Sequence, residues 1–86
     1  MELDCGIPEK RIVAWLGEEL GLPREHDGWV FKDPEGDLCR IVTKQLDNRT
    51  LGVVSIERTL VTVSGSTSAV DAFYRLFTLR FISAGG

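Results

Sequence analysis

The sequence predicts a two-layer α+β sandwich in the order α-β-β-β-β-α, with an antiparallel four-stranded meander and both helices on one face. Two observations predict this class: helical periodicity near each end of the chain, and short β-rich runs separated by turn residues between them. A chain of 86 residues is enough for one small domain, spanning residues 1–86. Placing both helices on the same face is the simplest packing that buries both apolar helix surfaces.

The first helix is predicted over residues 8–20. Pro8 and Glu9 suit a first helical turn, which tolerates proline and favours an acidic side chain. The apolar residues recur at helical spacing, at Ile12, Trp15, Leu16 and Leu20. Gly21 and Pro23 then predict the end of this helix.

Four strands are predicted in the middle of the chain, with the sequences GWVFK, LCRIVTKQL, LGVVSIE and TLVTVS. The segments DPEGD and DNRT carry residues typical of tight turns and predict the first two reversals. The junction at Glu57 and Arg58 lacks glycine. It is therefore either a third turn or a bulge within one long strand.

The second helix is predicted over residues 66–83. Its apolar residues recur at intervals of three and four, at Val70, Phe73, Leu76, Phe77 and Phe81. Further apolar residues cover more than one stripe of this helix, so a single sheet would leave some of them in water. Either the end of the helix packs on the first helix, or it meets another subunit.

The strand register decides which side chains share a face of the sheet. If DNRT is a loop, Lys44 opposes Val53 and Arg40 opposes Glu57. The better core face then contains Cys39, Ile41, Thr43, Val54, Ile56, Val61 and Val63. The other face stays partly open and carries the predicted partner-binding residues Trp29, Phe31, Arg40, Val42, Lys44, Val53 and Leu60. An error of one residue in the register would exchange the two faces and bury the aromatic rings.

A large exposed apolar area on a small sheet usually marks an interface. We therefore expect a non-enzymatic interaction or regulatory domain that forms a homodimer or binds a protein partner, through this face or the second helix. An alternative is a single-stranded RNA or DNA binder, in which Trp29 and Phe31 stack on bases while Arg40 and Lys44 contact phosphates. The sequence does not identify a small-molecule ligand.

The small-residue cluster SGSTSAVD raises a second candidate site. Gly65, Ser66, Thr67 and Ser68 precede or begin the second helix and could cradle an anion with backbone N–H groups. Ser68 followed by Asp71 also fits a capping box, which needs no ligand. Neither the P-loop signature nor the dinucleotide fingerprint is present, so the sequence favours the cap.

Residues suited to catalysis or metal binding are few. Cys5 and Cys39 lie 34 positions apart without a C-x-x-C motif, and His26 is the one histidine. A structural zinc site needs four ligands, more than these three offer. His26 and Asp27 are neighbours in a predicted loop, where adjacent side chains usually point apart. We therefore predict no enzyme activity, no metal and no cofactor.

The formal net charge of −3 conceals an asymmetry along the chain. Residues 1–37 carry ten acidic side chains against four basic ones, whereas residues 38–86 carry six basic side chains against three acidic ones. Such polarity either steers an acidic or phosphate-bearing partner or serves solubility alone.

The two ends of the chain bear on localisation and on a third functional hypothesis. The N-terminal sequence MELDCGIPEK is acidic, and no apolar run approaches the roughly 20 residues that span a bilayer, which predicts a cytoplasmic protein without membrane contact. The C-terminal Gly85 and Gly86 resemble the tail of ubiquitin-like sulfur carriers, whose slim end enters an activating enzyme. Those families place a strand before the tail, whereas a helix is predicted here. A helix stop is the alternative.

Overall fold

The computed structural model describes residues 1–82 and shows a five-stranded antiparallel sheet with two helices packed on one face. The strands are β1 (Glu2–Cys5), β2 (Arg24–Glu25), β3 (Gly28–Lys32), β4 (Leu38–Leu51) and β5 (Val54–Gly65). Their order in the sheet is β1-β5-β4-β3-β2. The α+β class and the shared face of the helices are confirmed, whereas the strand count is five instead of four.

The helices are α1 (Glu9–Ala14), which continues as a π-helical segment over Trp15–Glu19, and α2 (Thr67–Phe81). In the π-helical segment the N–H of Leu20 donates to the carbonyl of Trp15 at 2.9 Å. Gly21 adopts a left-handed conformation, with φ of 62°, and ends the helix as predicted. None of the helices within residues 1–82 combines the length and the apolar character that crossing a membrane requires.

The β4–β5 hairpin turns at residues 52–53, not at DNRT as predicted. Gly52 has φ of 63°, a conformation that glycine adopts at little cost, and it sets the turn. The DNRT segment instead lies within β4, where a register shift between Leu46 and Arg49 marks a bulge. Glu57 and Arg58 lie inside β5, so the alternative of one long strand is correct.

The observed register corrects the predicted one. Lys44 pairs with Leu60 and Arg40 pairs with Ser64 across the long hairpin. Trp29 pairs with Ile41 instead of Arg40, because the loop after β3 closes one residue later than predicted and pairs Lys32 with Leu38. This shift of one residue moves Trp29 and the next-but-one residue, Phe31, onto the face that the helices cover.

The core lies between the helices and that face. An aromatic cluster fills it, with Trp15 at ring-centroid distances of 5.6 Å from Phe73, 5.9 Å from Phe77 and 5.2 Å from Phe81. The sheet contributes Trp29, Phe31, Cys39, Ile41, Val61 and Val63, all buried. Four of these residues, Cys39, Ile41, Val61 and Val63, were predicted on the core face. Two further predictions fail, because Val54 and Ile56 lie on the opposite face.

Candidate interaction surface

The face of β3, β4 and β5 that points away from the helices is called the open face. It carries the apolar residues Val30, Leu38, Val42, Leu46, Ile56 and Leu60, interspersed with Arg40, Lys44, Arg58 and Thr62. Most of these apolar side chains are partly exposed, and Leu38 is 52% exposed. Paired residues in an antiparallel sheet project to the same face, and here each apolar residue is opposite a polar or charged one, for example Leu60 opposite Lys44. The face is therefore a strip in which apolar and charged side chains alternate.

Ion pairs hold two of the arginines in this strip. The guanidinium of Arg40 binds the carboxylate of Asp27 and the carbonyl of Glu25. Arg58 donates to the two carboxylate oxygens of Asp4 at 3.2 and 2.6 Å. These hydrogen bonds hold the pKa values of Asp27 and Asp4 below the ordinary range of an aspartate.

Two further cations on the open face are not neutralised in this way. Lys44 and Arg49 form no ion pair with any of the described residues. Arg49 borders a cleft of about 360 Å³ together with Ile56 and Arg58. The surface therefore combines apolar area with positive charge toward the hairpin end.

The predicted partner-binding residues divide into two groups. Arg40, Val42, Lys44 and Leu60 lie together on the open face. The first three alternate along β4, and Leu60 pairs with Lys44. Trp29 and Phe31 do not join them, because their side chains are only 3% and 8% exposed within the core. The guanidinium of Arg24 covers the Trp29 ring at 4.4 Å. Val53 lies at the turn of the hairpin and is fully exposed, away from the pairing expected with Lys44.

Val30 and Ile56 were not predicted on the open face. Ile56 lies there because the hairpin turns at Gly52, which a search for left-handed turn residues could have weighed against DNRT. Val30 lies there because the β3–β4 loop closes one residue later than predicted. The distal hairpin, which comprises residues 46–58, was not predicted either. In this segment β4 and β5 extend past their last pairs with β3 and β1, Gly28–Val42 and Cys5–Thr59. A ribbon of two strands with both edges unpaired is marginally stable in isolation, which favours contact with a partner.

The start of α2 forms a brace with the β3–β4 loop. The hydroxyl of Ser68 lies 2.8 Å from an oxygen of Asp33 and 2.7 Å from an oxygen of Asp37 and donates its one proton to either. The predicted capping box is wrong, because Ser66 occupies the N-cap position, without a side-chain cap hydrogen bond, and the helix begins at Thr67, which places Ser68 and Asp71 inside it.

The same geometry bears on the candidate anion cradle at residues 65–68. Two carboxylates next to the Ser68 hydroxyl create a negative field, which opposes an anion at this helix start. Close packing instead requires glycine at position 65, since a Cβ atom there would lie 2.6 Å from the carbonyl oxygen of Leu38.

Asp33, Glu35 and Asp37 place three carboxylate oxygens within 4.8 Å of one another. Of these, Asp33 already accepts hydrogen bonds from the backbone N–H groups of Glu35 and Asp37.

Neither cysteine has the surroundings of an activated nucleophile. Burial, with a smaller contribution from the charge of Asp33, raises the pKa of Cys39 to about 11. Burial and the neighbouring Asp4 also raise the pKa of Cys5. The two thiols lie on β1 and β4, which β5 separates. His26 is exposed in the turn between β2 and β3. In the sequence it is 13 positions from Cys39, the nearer of the two cysteines.

Together the fold and the surface describe a small two-layer α+β domain whose sheet is covered by helices on one side. No protein-family model, curated protein or solved structure matches the chain. The nucleic-acid hypothesis loses its expected stacking residues, because both Trp29 and Phe31 are buried. The terminal Gly85 and Gly86, on which the sulfur-carrier hypothesis depends, lie outside the described residues. That hypothesis stays a prediction.

Proposed function

We propose that the protein is a non-enzymatic interaction domain that forms a homodimer through the open face of its sheet. The observation that carries the proposal is that both helices cover one face, while the opposite face leaves a strip of partly exposed aliphatic side chains among charged ones. Removing apolar surface from water contributes about 25 cal/mol per Å². A second sheet packed on this strip would gain that contribution without disturbing the core.

The charge distribution on the open face favours a second copy as the occupant. Glu25 lies at the β2 end and forms no ion pair with a described residue, whereas Lys44 and Arg49 lie toward the distal hairpin. A two-fold axis across the middle of the face, near Val42, places the acidic end of one protomer against the basic end of the other. The apolar centre of each protomer then meets the same centre in its partner.

Solution mass, measured by size exclusion with light scattering at low and high salt, tests the proposal. We expect a dimer that persists at high salt, because apolar burial contributes more than surface charge does. Val42→Glu would place a carboxylate in the interface opposite Thr62 and Gly28, neither of which can neutralise it, and should weaken dimerisation by at least about 100-fold, which corresponds to about 3 kcal/mol. Its circular dichroism should match that of the unmodified protein.

Leu76→Glu on α2 is the matched control, since Leu76 is an exposed aliphatic residue away from the sheet. This variant should remain dimeric. A dimer broken by Leu76→Glu and retained by Val42→Glu would move the interface to α2. A protein that stays monomeric at every concentration would overturn the proposal.

A further inference from the structure

A second surface lies on the other side of the sheet, between the edge strand β1 and the C-terminal end of α2. A groove of about 510 Å³ runs there, lined by the apolar side chains of Leu3, Ile7, Phe77, Phe81 and Ile82. Ile82 is 62% exposed, and Leu3, Ile7 and Phe81 are partly exposed. The acidic side chains of Glu2 and Asp4 also line the groove, along the strand edge.

The backbone of β1 offers hydrogen-bonding groups along this groove. Met1 and Val63 exchange two hydrogen bonds of 2.8 Å, so Leu3 and Cys5, at the following odd positions, also direct their backbone groups toward β5. The N–H and C=O groups of Glu2 and Asp4 therefore point away from the sheet. In the part of the chain that the structure describes, β1 ends the strand order and no further strand pairs with them.

We infer that this edge and groove bind an extended peptide segment of another protein, which adds as a sixth strand. Alternate side chains of such a peptide would enter the groove beside Leu3, and the remaining ones would lie beside Glu2 and Asp4. Asp4 is already paired with Arg58, whereas Glu2 forms no ion pair within residues 1–82. The peptide that fits has apolar residues at alternate positions and a lysine or arginine opposite Glu2.

A second copy of this chain is a poor occupant of the same edge. Two antiparallel β1 strands related by a two-fold axis through Leu3 would place Glu2 of each opposite Asp4 of the other. Like charges at directly opposed positions destabilise strand pairing. The peptide inference does not rest on the proposed homodimer, because the groove lies on the side of the sheet that the helices cover.

Fluorescence anisotropy with a labelled hexapeptide of alternating lysine and isoleucine tests the inference on the full chain. We expect saturable binding that falls at least about tenfold in affinity when glutamate replaces lysine in the peptide, and likewise when alternate backbone nitrogens are methylated. Ile82→Gln should weaken binding about tenfold, because it removes the exposed apolar side chain of the groove. Glu2→Lys should reverse the preference between the lysine and glutamate peptides.

Val53→Gln is the matched control for Ile82→Gln, since Val53 is an exposed apolar residue at the remote hairpin turn. It should leave peptide affinity unchanged. Hydrogen exchange gives a second readout, in which the amide protons of Glu2 and Asp4 gain protection when the peptide binds. Binding that neither backbone methylation nor Ile82→Gln weakens, or no binding at millimolar peptide, would overturn the inference. Ile82→Gln should not change the solution mass, and Val42→Glu should still bind peptide, so the two proposals fail independently.

Discussion

The two faces of β4 differ in what the same strand offers to its neighbours. Cys39 and Ile41 lie beneath the helices and are buried, whereas Arg40, Val42 and Lys44 project to the open face. All the large rings of the sheet lie on the covered face, and the open face combines aliphatic side chains with charge. This difference teaches that alternation along one strand can build a buried core on one face and leave a partly exposed, charged surface on the other.

The largest expected effect is the difference in the free energy of unfolding between substitutions at two adjacent residues of β4, one on each face. Ile41→Ala removes a fully buried side chain and should lower the free energy of unfolding by about 2–5 kcal/mol. Val42→Ala should cost less than about 1 kcal/mol at concentrations where the protein is monomeric, because its side chain is already partly exposed. Urea denaturation of both variants over a range of protein concentrations makes the comparison.

The concentration dependence sharpens this result. If the open face pairs in a dimer, the cost of Val42→Ala should grow as the protein concentration rises. A cost equal to that of Ile41→Ala at every concentration would show that the open face is covered within the protomer.

Two glycines extend the comparison along the sheet. A Cβ atom on Gly28 would lie 2.3 Å from the carbonyl oxygen of Ile41, so Gly28→Ala forces β3 and β4 apart and should cost about 1–3 kcal/mol or more. Gly52 at the hairpin turn meets no atom within 4 Å, and its cost comes from its φ of 63° alone. Gly52→Ala should therefore cost about 1 kcal/mol. Thermal unfolding of both variants checks the order.

The glycine pair also tests how the distal hairpin is connected to the rest of the sheet. Gly52→Ala should raise hydrogen exchange in residues 46–58 without changing exchange at Ile41. Equal loss of protection at both places would contradict a hairpin that opens independently of the core.

Predictions of which face a side chain occupies were correct along a single strand and wrong where they depended on the position at which a loop closes. Arg40, Val42 and Lys44 were placed on one face correctly because alternation along a single strand needs no knowledge of turns. Trp29 and Phe31 were placed on the wrong face because their position depends on where the β3–β4 loop closes, and one residue reverses every side chain.

The hairpin turn shows the same limit. DNRT and the Gly52 region both carry turn residues, and local propensity does not rank them. The long pairing of β4 with β5 decides in favour of Gly52, while a bulge after Leu46 accommodates the other segment. The short strand β1 escaped prediction because its sequence, ELDC, is too brief and too charged to show a strand pattern. Its pairing partner lies almost 60 residues away.

The brace between the β3–β4 loop and α2 predicts a pH dependence of the protein's stability. Burial of Asp33 disfavours its charge, yet hydrogen bonds from Ser68 and from the N–H groups of Asp37 and Glu35 together hold its pKa below the ordinary value. Because the folded pKa lies below the unfolded one, this contribution to stability is fully present above the unfolded pKa, about 4, and is lost as the pH falls through the folded pKa. Asp33→Asn should lower the urea midpoint at pH 7 and flatten its fall below about pH 4. The exposed Asp71→Asn is the control, and a profile that Asp33→Asn leaves as steep as the control would show that the brace does not set acid stability.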